Sequence, residues 1–268
     1  MKVRMYNVGF GDCFCLRDRK KSLLVDFGTN NSRIEGRPRR EIFDVIISDL
    51  STIKSKNLLL THFHMDHLSG LLYMMKKKDI SVDFGKIYLP DVFSKKEMSR
   101  TLVLLLLADL LKESGLPSRQ VSLFALVDAL LENKQNVELL SRGKLFENKY
   151  QALWPDTDVI RKETDEVYNR ICEDGKFKEV MDVLLEFAEK LRLIVWSMTA
   201  EGNKPAETVE KETDLTASEL TEQPEVRQKI IRAYVYEREF RRIKALPDFK
   251  KLLAWLNENQ INLRQFKH

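Results

Sequence analysis

Three of the four histidines in this chain fall within one heptapeptide, Thr61-His62-Phe63-His64-Met65-Asp66-His67, directly after the apolar run Leu58-Leu59-Leu60. No other feature constrains the fold as much. A short apolar run reads as a buried strand. The run leads straight into the polar cluster. Neutral imidazole is the usual ligand for zinc and related divalent ions. His62 and His64 are two apart, so in an extended segment they point to the same side. Asp66 and His67 follow where the strand gives way to a Leu68-Ser69-Gly70 turn, and a bend there swings both toward the same point. Two imidazoles then suit one ion, and a carboxylate with an imidazole suits a second beside it, a pair able to polarise a scissile group and supply hydroxide at neutral pH. The competing account is a polar loop that happens to hold histidines, and the scarcity of histidine elsewhere weighs against it.

The flanking segments read as short elements of a sheet. Val3 and Met5 alternate with polar neighbours, and residues 13–16 and 22–26 read as two further strands, with turn signals at Gly9-Phe10-Gly11-Asp12 and at Gly28. Residues 30–40 read as a polar, basic loop and 42–50 as a short helix. Residues 68–77 read as a helix whose basic end suits the helix dipole, and 86–89 as a strand stopped by Pro90. Beyond this point helices dominate: 95–114, 118–133, 158–173 and 176–196, with strands at 137–140 and 149–154 between them. Residues 201–225 are rich in Thr, Glu and Lys and read as a mobile acidic loop. Helices over 226–246 and 248–259 follow. The expected organisation is an N-terminal sheet-bearing part over residues 1–155 and a helical region over 156–268.

The string Thr61-His62-Phe63-His64-Met65-Asp66-His67 resembles the H-x-H-x-D-H signature of the metallo-β-lactamase superfamily. Asn7-Val8-Gly9-Phe10-Gly11-Asp12-Cys13 looks like the V-G-x-G-D segment of one branch, which includes the hydrolase domain of bacterial competence (DNA-uptake) proteins. Leu23-Leu24-Val25-Asp26-Phe27-Gly28 is similar to the L-L-V-D-x-G strand that follows it there. The resemblance covers about residues 1–90. It implies an α/β fold class, the first half of an αββα sandwich with metal ions at the sheet edges, followed here by a mostly helical region. It implies a metal-dependent hydrolase that works through a metal-activated water, in this branch often on phosphodiesters, nucleic acid among them. Carried over residue by residue, His62 and His64 belong to the first ion and Asp66 and His67 to the second, and Asp66 also orients the attacking water. The cofactor implied is a divalent metal, zinc first, with manganese or iron as alternatives, because His and Asp suit several ions. Asp12 and Asp26 match positions near the site and read as turn and supporting residues.

Two parts of the branch's pattern have no counterpart. One is a later L-L-x-G-D segment, whose Asp bridges the ions. The other is a later histidine, since none lies between His67 and His268. Catalytic zinc typically takes three protein ligands, so four completions stand open: a C-terminal segment missing from this chain, a partner chain, substitution by Asp91, Asp156 or Cys172, or a degenerate site. The alternative function is accordingly an incomplete or non-catalytic protein that serves as a half-site or partner-binding module.

Composition removes other classes. The apolar run at 102–108 ends at Asp109, far short of the ~20 residues a membrane span needs, and no apolar signal core precedes the first strand. Three cysteines do not make a disulfide framework, and Cys13 and Cys15 read as small core residues. A cytoplasmic protein without a membrane partner is the expectation. No Gly-rich phosphate loop and no G-x-S-x-G elbow occur. Net charge is only +4, but from residue 226 onward eleven Lys/Arg face four Asp/Glu. That excess reads as a solvated helix face, or as a contact for nucleic acid or an acidic partner. Arg37-Pro38-Arg39-Arg40 reads equally as a phosphate grip or a solvated loop. Tyr234, Tyr236 and Phe240 among Arg238, Arg241 and Arg242 read as core, with base stacking as the minor alternative.

Overall fold

The computed structural model of the chain describes residues 1–18, 21–77, 83–113, 122–133, 135–173, 175–200, 240–259, 261 and 263. The chain divides into two compact units, one of Met1–Asp91 with Gln120–Pro155, the other of Val92–Arg119 with Asp156–Phe266.

The first unit is built on a six-stranded sheet. Strands β1 (Lys2–Met5), β2 (Phe14–Asp18) and β3 (Lys21–Val25) form an antiparallel meander. The two-residue strands β4 (Arg33–Ile34) and β5 (Arg37–Pro38) form a separate hairpin and lead into helix α1 (Arg39–Ser51). Strand β6 (Lys56–Leu59), helix α2 (Met65–Lys76) and strand β7 (Ile87–Pro90) follow. Strand β8 (Val137–Leu140) completes the order β1-β2-β3-β6-β7-β8, in which β3, β6, β7 and β8 run parallel. Parallel strands are covered on both faces and so read as near-continuous apolar runs. Leu58-Leu59-Leu60 and Ile87-Tyr88-Leu89 are such runs.

On one face Cys15, Leu24, Leu58, Ile87 and Leu89 are each 0 % exposed. On the other, Leu23, Tyr88 and Leu140 meet Phe146 and Ala152, brought there by the hairpin of β9 (Leu145–Phe146) and β10 (Tyr150–Gln151). Strand β1 is an edge, and its Val3 and Met5 stay exposed. Cys13 and Cys15 are free, buried core residues, as their sequence setting suggests.

Helix α1 buries Phe43, Ile46, Ile47 and Leu50, one stripe at helical spacing. Each such side chain contributes roughly 1.5–3 kcal/mol by leaving water. The helix starts at Arg39 instead of residue 42 because Pro38, at φ −57° and ψ 139°, sets the chain for entry and cannot itself donate a backbone hydrogen bond. Helix α2 starts at Met65, so Leu68-Ser69-Gly70 is helix and not the expected turn. Asp66 and His67 therefore sit in the first turn of a helix, where a carboxylate suits the helix dipole. Gly70 is tolerated there because the Phe27 ring fills the space a side chain would take, with a Cβ at Gly70 only 2.6 Å from it. Helix α4 (Ser122–Glu132) also belongs to this unit; the first residues of the helix expected over 118–133 lie outside the described residues.

The second unit is helical. A 3-10 turn (Lys96–Met98) enters α3 (Ser99–Glu113), which packs on α5 (Thr157–Cys172) and α6 (Lys178–Ser197). Leu102, Val103, Leu104 and Leu107 of α3 are each 0 % exposed, so the apolar run is core. Asp156 starts α5 by accepting the N–H groups of Asp158 and Val159 at 3.2 and 3.3 Å. Arg192 of α6 is buried. Its Nε and a terminal nitrogen grip Glu189, and its other terminal nitrogen donates to the carbonyls of Phe93 and Ser94 at 3.2 and 3.3 Å. Ser99 donates to the same Glu189. Helices α7 (Phe240–Ala245) and α8 (Pro247–Glu258) follow. The acidic segment 201–225, most of the 226–246 helix, and the Tyr234, Tyr236 and Phe240 side chains lie outside the described residues. Among the described residues, no helix is long and apolar enough to cross a membrane.

Candidate metal centre

Strands β3 and β6 deliver the site. Val25 pairs with Leu59 across the parallel ladder, so residues 26 and 60 leave the sheet side by side. Asp26 turns away at φ 53°, in the left-handed region, a conformation that costs a non-glycine residue roughly 1–2 kcal/mol and that short polar side chains tolerate best. The structure repays it with hydrogen bonds. The Asp26 carboxylate is almost wholly buried. Its Oδ1 accepts the Thr61 N–H at 2.8 Å, and its Oδ2 accepts the Thr61 hydroxyl at 2.7 Å and the His67 Nδ1 at 2.9 Å.

Three segments are laced together here through their backbones. Phe27 N–H donates to His67 O at 2.7 Å, and Gly70 and Leu71 donate to Phe27 O at 2.9 and 3.1 Å. Asp12 N–H donates to Asp66 O, and Gly28 N–H to Asp12 O, both at 3.3 Å. The approach is so close that a Cβ on Gly28 would stand 2.6 Å from Leu68 N and 2.7 Å from Asp66 O. Only glycine fits.

The imidazoles converge on this platform. His62 and His67 have ring centroids 3.7 Å apart, and His62 and His64 4.9 Å. The hydrogen bonds assign the tautomers. The Thr61 hydroxyl has one proton, which goes to Asp26, so it accepts from His62 Nδ1 at 2.9 Å. His67 Nδ1–H goes to Asp26. Both rings therefore keep Nε2 as the basic nitrogen, the form that binds a divalent ion. His67 Nε2 lies 3.7 Å from an Asp66 oxygen, and its Nδ1 3.7 Å from an Asp12 oxygen. Burial pulls the His67 pKa down, but the hydrogen bond and charge of Asp26, with the charges of Asp66 and Asp12, outweigh it and raise the net value above the ordinary histidine range.

Asp12, Asp26 and His67 bring ligand atoms within 4.8 Å of one another, a candidate metal site. His62 and His64 stand beside it. The three alternatives raised for the missing ligands are outside that group: Asp156 caps α5, Cys172 lies on α5 with its thiol pushed up by burial and by Asp182, and Asp91 ends β7 with its N–H on Leu140 O at 2.9 Å. Sequence reasoning passed over Thr61. The available signal was its place, a hydroxyl between an apolar strand and the first histidine.

The family model for the metallo-beta-lactamase superfamily matches residues 6–91. These residues are similar to the metallo-β-lactamase superfamily. The matched residues hold β2 to β7 and every residue of the candidate centre. The chain is also 32 % identical over 77 residues to Endoribonuclease YSH1 of Mycosarcoma maydis, a match that covers 29 % of this chain and 8 % of that protein. No solved structure matches. The six-stranded mixed sheet and the helical region agree with the fold expected from sequence.

Proposed function

We propose that this chain is a metal-dependent hydrolase of phosphodiesters, with nucleic acid as the substrate. The observation that carries the proposal is the Asp26 relay, one buried carboxylate that sets the tautomers of two adjacent imidazoles. A divalent ion bound there supplies Lewis acidity and makes water a competent nucleophile at neutral pH. In this reading His62 and His64 hold the first ion through their imidazoles, and His67 with Asp66 hold the second. Zinc suits this donor set best, with manganese or iron as alternatives. Asp66 also accepts a proton from the attacking water and fixes its line of approach. Asp26 keeps His67 in the tautomer that binds, and Asp12 adds negative charge on the open side. The nucleic-acid assignment leans on the endoribonuclease relative, which shares only part of its length with this chain.

The test is metal content and turnover on chelator-free protein. Zinc bound by wild type, with cleavage of a labelled oligonucleotide, supports the reading. His64→Ala should abolish metal-dependent turnover while the chain stays folded, and unchanged turnover in that variant overturns it. A second reading, a half-site completed by another chain, is favoured by one observation: the named donors all lie between Asp12 and His67, within the segment that matches the family. Weak metal binding that tightens only in the presence of a partner chain distinguishes it.

A further inference from the structure

The loop between β1 and β2 carries an aromatic ring that the core does not use. Phe10 is 76 % exposed. A lone apolar side chain on a loose loop needs no account. Phe10 is different because its backbone is held on every side. Its N–H donates to Asn31 Oδ1 at 3.1 Å, and its carbonyl accepts Asn30 N–H at 2.8 Å and the Thr29 hydroxyl at 3.1 Å. Thr29 is itself locked to the Ser69 hydroxyl, donating its N–H at 2.9 Å and accepting at 3.0 Å. The next residue, Gly11, sits where a side chain would collide with the Gly28 and Asp66 carbonyls. Asp12, one step further, joins the candidate metal group. The ring thus stands on a fixed lip tied to the same loops that carry Asp26 and Asp66.

The lip is also basic. Asn7 Nδ2 donates to Glu35 Oε1 at 2.7 Å and ties the Phe10 loop to the β4–β5 hairpin. That hairpin and the start of α1 present Arg33, Arg37, Arg39 and Arg40, all exposed. Arg37 pairs with Glu41 at 3.3 Å in an exposed i,i+4 contact, too weak to keep it from another anion.

We infer that Phe10 is a stacking platform for a base of single-stranded nucleic acid, with the hairpin arginines meeting the phosphates that flank it. An aromatic face stacks on any base, and a pre-ordered one loses little freedom in doing so. Arginine is the residue suited to phosphate oxygens. Duplex bases are already stacked inside the helix, so the platform selects single strands. The inference rests on the nuclease reading above and specifies its substrate class and a residue that positions it.

The experiment measures anisotropy of fluorescein-labelled 12-nucleotide RNA and DNA single strands, each intact and with one internal abasic position, alongside cleavage of the intact strands. Phe10→Ala should weaken binding of the intact strand about tenfold or more and leave the abasic strand as wild type binds it. Phe10→Trp should keep wild-type affinity, with indole emission quenched on binding, a signature that a merely structural role does not give. Loss on RNA alone assigns the platform to RNA, and equal loss on both assigns it to single strands generally. If Phe10→Ala binds and cleaves the intact strand as wild type does, the platform is refuted while the nuclease reading stands. If wild type neither binds nor cleaves any strand, the nuclease reading fails, and the platform fails with it.

Discussion

Asp26→Asn keeps the size and shape of the side chain and removes only its charge and one acceptor. The consequences follow from the three hydrogen bonds the carboxylate accepts, at 2.8, 2.7 and 2.9 Å. If the amide oxygen takes the Oδ2 place, the Thr61 hydroxyl and His67 Nδ1–H keep a neutral acceptor, and the amide nitrogen faces the Thr61 N–H, donor against donor. Losing one bond to a charged acceptor costs about 1.5–3 kcal/mol, and weakening two others costs about 1 kcal/mol more. Relief from burying a charge at a site only 2 % exposed offsets part of this. A net loss of about 2–3 kcal/mol remains, a fall in melting temperature of roughly 5–10 °C. A neutral acceptor on His67 Nδ1–H makes the ring a weaker base and holds it less firmly than the carboxylate does, and metal affinity falls roughly 10–100-fold. Thermal unfolding of the metal-free protein reads the first effect, and a competitive titration against a zinc chelator reads the second. A variant that melts and binds zinc as wild type does refutes the relay.

Two further perturbations separate backbone fit from side-chain chemistry. Gly28→Ala puts a Cβ 2.6 Å from the Leu68 amide nitrogen, where no flexible group can yield; little soluble protein, or a loss of several kcal/mol in a urea melt, is the expected outcome. Arg192→Met keeps apolar bulk but strands Glu189 and two carbonyls, so urea unfolding of the helical unit should show a loss of about 2–3 kcal/mol. Burial alone would raise the Glu189 pKa, but its bonds to Arg192 and Ser99 prevail and hold the group below the usual glutamate range. A depressed carboxylate contributes stability above its unfolded pKa and loses it as pH falls through the folded value. Wild type should therefore lose stability below about pH 4.5, and Arg192→Met should show a flatter acid limb.

Much of the sheet was legible because its evidence is local. Alternation at Val3 and Met5, the continuous runs of β6 and β7, and the crowding of histidine at 62–67 each sit within one short segment. The relay was not legible, because it spans the sequence. Asp26 reaches Thr61 over 35 residues and His67 over 41, and nothing near Asp26 announces either partner. Read alone, it is a polar residue ending a strand, and the supporting role assigned to it came from the family resemblance. The start of α2 was misjudged for a related reason. Gly70 signals a turn in isolation, and only the Phe27 ring, brought in from the segment after β3, explains its place in a helix. Of the β9–β10 hairpin only the second strand was expected, as a longer one over residues 149–154, and β9 was not. The two-residue ladder of this hairpin is closed by a turn in which Glu147 and Asn148 adopt φ 51° and 56°, in the left-handed region.

The outer rim of the sheet has its own consequence for how molecules of this protein meet one another. Strand β1 leaves one row of backbone donors and acceptors facing away from the ladder, and such a row is a template on which a neighbouring chain can extend the sheet into an aggregate. Here it is only four residues long, and Lys2 and Arg4 alternate with Val3 and Met5. Arg4 is bound to both oxygens of Asp49 at 2.8 Å. Two such rims laid side by side would share one short ladder carrying four basic side chains, Lys2 and Arg4 of each copy. Self-association along β1 is thereby disfavoured by like charge, and the apolar side chains at Val3 and Met5 are carried at the surface without making the rim adhesive.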